Sequence, residues 1–126
     1  MAQAFMNTQP VRLLLVVAGS VAAFIALAFP IYQLYFSIGE AVYDPRLLEG
    51  LAALQVVFFT AFALHMLGSI GAAAALIRWT RVPIYPTLAV VALILALLAL
   101  PTLGALTGFN SEHFGVDLPF PGQGYR

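Results

Sequence analysis

The side chain in this sequence best equipped for chemistry is His65. It sits near the middle of LAALQVVFFTAFALHMLGSIGAAAALI, Leu51 to Ile77, a run of 27 residues without a charged side chain. A neutral imidazole donates one hydrogen bond, accepts another and ligates metals through its unprotonated nitrogen. The small residues Ala61, Gly68, Ala72 and Ala75 follow one another at steps of seven, four and three on its side of a helix. Ser69 comes one turn after the histidine and Phe58 two turns before it. Such a face admits a neighbouring helix or a flat ligand, so three uses of His65 are open. The plainest is an interhelical hydrogen bond to a polar side chain or a backbone carbonyl. The second is axial ligation of a tetrapyrrole, haem iron or chlorophyll magnesium, with Ala61, Gly68 and Ser69 beside the ring. The third, a proton relay, lacks a second titratable group inside any apolar stretch.

Little else in the chain suggests a reaction. There is no cysteine, which excludes thiolate metal sites, disulfides and cysteine nucleophiles. No glycine-rich phosphate loop, HExxH helix, Ser-His-Asp set or pair of carboxylates within a span is found. Catalysis by this chain alone is therefore not expected. His113 is expected as a solvated loop residue, the alternative being a surface metal site with Glu112 and Asp117. Gln55 reads as a polar residue near the membrane interface rather than a quinone contact. Phe58, Phe59 and Phe62 read as lipid or partner contacts.

The elements that must position His65 follow from composition. Of the 126 residues, 63% are hydrophobic and 8% charged, far from soluble proportions. At 1.5 Å per residue, the central run exceeds the roughly 30 Å hydrocarbon core of a bilayer. The expected fold is all-α and integral to the membrane: one domain of three transmembrane helices with short loops and an irregular C-terminal tail. The spans are expected at about 11–30, 50–77 and 87–106, and the tail at 107–126. Arg12, an apolar run and Ala26-Leu27-Ala28 imitate a secretory signal, but the run is longer than a usual signal core, and the span reading is preferred. Pro30 is expected to end or kink the first helix, with Tyr32, Gln33 and Tyr35 as an interfacial belt. Asp44-Pro45 reads as a helix start, and Arg78-Trp79-Thr80-Arg81 as a helix end anchored by an aromatic ring and two cations. Pro101 should kink the last turn of the third span. Small residues recur on every helix: Gly19 with Ala23 or Ala18 with Ala22, then Ala61, Gly68 and Ala72, then Ala89, Ala92, Ala96 and Ala99.

Charge sets the expected orientation. Arg12, Arg78 and Arg81 share one side, whereas Arg46, Arg126 and all the acids (Glu40, Asp44, Glu49, Glu112 and Asp117) share the other. The arginine excess places the N-terminus in the cytoplasm and the C-terminus outside, in a membrane expected to be a bacterial inner membrane.

Two families resemble this arrangement. Three spans with His65 midway along the second, the order His65, Gly68, Arg78, Trp79, and Pro10-Val11-Arg12 before the first span are similar to membrane-anchor subunits of succinate dehydrogenase or fumarate reductase. That resemblance implies that His65 ligates a haem b. Gln55-Val56 and Leu64-His65-Met66 resemble the second helix of the small subunit IV of bacterial haem-copper oxidases. The long C-terminal tail departs from the first pattern, and the dozen helical residues after His65 from the second. The function expected is an accessory or anchor subunit of a multi-subunit membrane electron-transfer complex of the respiratory chain. Its partners would be other membrane subunits, and any haem would be shared with one of them. The alternatives are a structural or chlorophyll-binding subunit of a photosynthetic complex, or a small self-assembling transporter or channel. A chain without cofactor fits the first hydrogen-bonding use of His65. The absence of native cysteine makes orientation directly testable: Tyr43→Cys should react with an impermeant thiol reagent from outside the cell and Thr80→Cys should not. The reverse labelling would invert the topology.

Overall fold

The computed structural model describes residues 9–43 and 48–115. They form three long helices: α1 over Gln9–Val42, α2 over Leu48–Thr80 and α3 over Ile84–Phe114. No strand occurs among the described residues. Each helix is long and apolar enough to cross a membrane, so the all-α membrane fold expected from composition is the observed one. Helices suit hydrocarbon because every backbone N–H and C=O within them is satisfied internally.

The helices overrun the apolar stretches that signal them. α1 continues through Pro30 for another twelve residues, to Val42, instead of ending there. α3 begins before Thr87 and continues through Pro101 to Phe114, so residues 107–114, expected in an irregular tail, are helical. A proline removes one ladder donor but tolerates continuation when its surroundings compensate. Polar residues in the extensions bond within their own helix: the hydroxyl of Ser37 donates to the Gln33 carbonyl at 3.1 Å and that of Thr107 to the Leu103 carbonyl at 2.8 Å. The expected helix start at Asp44-Pro45 and the tail beyond Gly115 lie outside the described residues.

Two helix ends share one device. The N–H of Arg81 donates to the Ile77 carbonyl at 2.9 Å, and that of Gly115 to the Ser111 carbonyl at 3.1 Å. Both residues are left-handed, with φ of 59° and 74°, which is the single-bond left-handed helix cap.

The chain divides into two compact units, and each helix contributes to both. The first comprises Met1–Ala28 and His65–Ala96, and the second Phe29–Leu64 and Leu97–Arg126. In the first unit, Val16, Ser20 and Phe24 of α1 are buried with His65, Ser69, Ala73 and Ile77 of α2 and Thr87, Val91 and Leu95 of α3. The repeated step of four keeps each row on one side of its helix. Gly19 belongs to this packing: a Cβ built on it would lie 2.6 Å from Leu76 Cδ1. In the second unit the buried rows are Tyr32 and Tyr35, then Leu54, Phe58 and Ala61, then Leu106 and Asn110. Gly39 is buried as well, and a Cβ there would lie 2.9 Å from both Leu54 Cδ1 and Phe114 Cζ.

The small stripes expected at the helix contacts are divided between inside and outside. Ala61 is buried, but Gly68 and Ala75 are exposed and Ala72 half-buried; Ser69 and Ala73 occupy the inward row instead. Ala18 and Ala22 face outward, as do Ala89, Ala92 and Ala96 of α3. Gly39→Leu should therefore overpack the second unit and lower its unfolding free energy by about 1–3 kcal/mol. Gly104→Ala, where a Cβ meets nothing within 4 Å, should be neutral or gain up to about 1 kcal/mol. Reversible unfolding in mixed detergent micelles measures both.

Candidate functional site

His65 has no exposed surface. Its Nε2 lies 2.8 Å from the carbonyl oxygen of Phe24, 41 residues away on α1. A carbonyl only accepts, so Nε2 carries the proton of this bond. The Phe24 ring lies against the imidazole, with centroids 4.2 Å apart and planes inclined by 39°. The same residue thus supplies both a polar partner and an apolar cover. Ser69, also fully buried, donates its hydroxyl to the His65 carbonyl at 2.8 Å. That bond satisfies a polar group where water is unavailable.

The residues expected to line a site with the histidine are placed differently from one another. Ser69 is buried beside it in the first unit, Ala61 is buried in the second unit, and Gly68 is exposed. A Cβ on Gly68 would come within 3.1 Å of Leu27 Cδ1, so that position sits beside α1 without being enclosed. A tetrapyrrole approaching Nε2 would have to displace the Phe24 carbonyl that this nitrogen meets. The geometry therefore serves the interhelical hydrogen bond, the plainest of the three uses open to His65.

The second unit carries polar contacts of its own. His113 is on α3 rather than in a loop, and its Nε2 is 2.5 Å from Glu40 Oε1 of α1. Glu112 is exposed beside it, and Asp117 lies outside the described residues. No group of three or more His, Cys, Asp or Glu side chains able to hold a metal occurs among the described residues. Tyr35 is almost fully buried and donates its hydroxyl to Asn110 Oδ1 at 2.7 Å. This bond joins α1 to α3, and Asn110 lies on a helix rather than in the irregular tail expected of it. A signal for it exists in the spacing, because Asn110 lies four residues after Leu106 and extends the inward row of α3. Its Nδ2 is buried with no hydrogen-bond partner among the described residues. The edge of Tyr35 meets Phe58 at 5.5 Å and Phe114 at 6.2 Å between centroids, which surrounds the polar pair with aromatic rings.

Comparison with family models, curated proteins and solved structures finds no match to this chain.

A glutamine side chain can donate to the Phe24 carbonyl, so His65→Gln should cost little. Side-chain hydrogen bonds in membranes average about 0.6 kcal/mol in double-mutant cycles. His65→Ala loses the ring contact too and leaves a cavity, so it should cost about 2–4 kcal/mol. Equal losses for the two variants, measured by unfolding in mixed micelles, would assign His65 a role other than this bond.

Proposed function

We propose that the chain is an accessory, non-catalytic helical subunit of a larger membrane complex. The observation that carries this reading is the surface of α3. That helix buries Val91 and Leu95 while leaving Ala89, Ala92 and Ala96 exposed on a neighbouring face. Small side chains inside a span let another backbone approach closely, and in lipid such close packing is a main source of helix association. The closed geometry of His65 adds to it, since the one histidine deep in a span is spent on holding α1 to α2.

A respiratory electron-transfer assembly is the complex proposed, and that part rests on the resemblance of the second helix to anchor subunits. In such an assembly the chain would hold larger subunits in the bilayer. Its contribution would be shape rather than reacting groups.

Extraction of the tagged chain from its native membrane in mild detergent, followed by native mass spectrometry and an absorption spectrum, tests both parts. The expected result is co-purification with larger membrane subunits carrying redox cofactors. Recovery of those subunits should fall at least about tenfold for Ala92→Leu, roughly the effect of losing one 1.4 kcal/mol contact. A chain recovered without partners would overturn the accessory reading. Partners without redox cofactors would overturn the respiratory assignment alone.

A further inference from the structure

At the end of α1 and α3 in the second unit lies an open groove of about 350 Å³ lined by Phe36, Phe109, Glu112 and His113. Its volume lies at the small end of the usual range for small-molecule sites, roughly 300–1,000 Å³. The two phenylalanines meet edge to face with centroids 6.4 Å apart, and Phe36 meets the His113 ring the same way at 5.5 Å. The aromatic wall is held from behind, because Phe36 also stacks on Phe114 at 6.0 Å.

The carboxylates at the groove, Glu112 and the Glu40 that pairs with His113, outnumber its one ionisable base. Glu112 is exposed and has no hydrogen-bond or ion-pair partner among the described residues. His113 is fixed by Glu40 through Nε2. The described part of this unit contains no lysine or arginine, and its one base at the groove, His113, is already paired with Glu40. A divalent metal is not favoured either, since these side chains do not form a metal-holding group. A carboxylate without a partner and two aromatic rings around one small groove are the elements that recognise an organic cation.

We propose that this groove binds an alkylammonium group. Glu112 supplies the counter-charge, Phe36 and Phe109 supply ring faces and edges for the methyl or methylene groups, and His113 is positioned by Glu40 to complete the wall. The group has two natural sources, the ammonium end of a zwitterionic phospholipid and a soluble amine. The groove lies at the ends of two membrane-spanning helices, where either could reach it.

The test uses the full chain in nanodiscs of phosphatidylglycerol, titrated with tetramethylammonium chloride while the imidazole NMR signals are followed. Sodium chloride provides the ionic-strength control, and His65 serves as the internal reference. The expected result is a saturable shift of His113 with His65 unmoved, weakened about tenfold by Glu112→Gln and by Phe109→Leu. Both substituted residues are exposed, so helical circular dichroism should be unchanged and a loss of binding is then local. In phosphatidylcholine nanodiscs, His113 signals already at the saturated position identify a lipid headgroup as the occupant. Signals still titrating there identify a soluble amine. A linear response, the same shift with sodium chloride, or unaltered binding by folded Glu112→Gln overturns the proposal.

Discussion

Hydrocarbon offers a polar side chain nothing, so each such group placed inside a span must find its partner in the protein or cost several kcal/mol. In this chain the constraint is felt most sharply at His65, and the Phe24 carbonyl answers it. The bond needs α1 and α2 in register, because a shift by one residue would carry the carbonyl to another side of its helix. The rows on either side obey the same register: Val16 and Ser20 before Phe24, Ser69 and Ala73 after His65. Apolar packing alone would tolerate sliding between such uniform surfaces. One hydrogen bond of modest strength can thus fix a register that apolar contacts leave free.

The second unit meets the same constraint with different residues. Tyr35 and Asn110 join α1 to α3, and rings of Phe58 and Phe114 cover the pair. Farther along the same helices, Glu40 and His113 repeat the link where side chains are exposed. A buried tyrosine–amide bond and an exposed histidine–carboxylate contact are both polar, but they differ in what they resist. The first opposes separation in a dry interior, where no water can replace either partner. The second is open to solvent and competes with it, so its value to stability is small.

The three spans are legible in the residues because a helix apolar on every side, over more than twenty positions, suits a bilayer far better than water. Their ends are not, because hydropathy marks where lipid stops and not where a helix stops. Gln33, Ser37, Thr107 and Asn110 lower the apolar signal without breaking the hydrogen-bond ladder. Pro30 misleads for a similar reason: one missing donor does not end a helix that packing supports. His65 stands out by its rarity, but its partner cannot. A backbone carbonyl leaves no mark in the residue sequence, since every residue has one. The small residues show the opposite failure. Ala61 and Gly68 look equivalent in the sequence, yet one is buried and the other exposed.

The cap at the end of α2 has a consequence for how the chain enters a bilayer. α3 is closed by Gly115, which adopts a left-handed backbone without steric cost. α2 is closed in the same way by Arg81, for which that conformation costs roughly 1–2 kcal/mol. Only Arg81, Val82 and Pro83 separate α2 from α3. A connection this short suits entry of the two helices together, as a helical hairpin. During that step the turn either crosses the hydrocarbon or stays behind, and a guanidinium at its tip makes crossing far harder than a glycine would. The strained residue thus adds its charge to that of Arg78 in resisting the turn's passage.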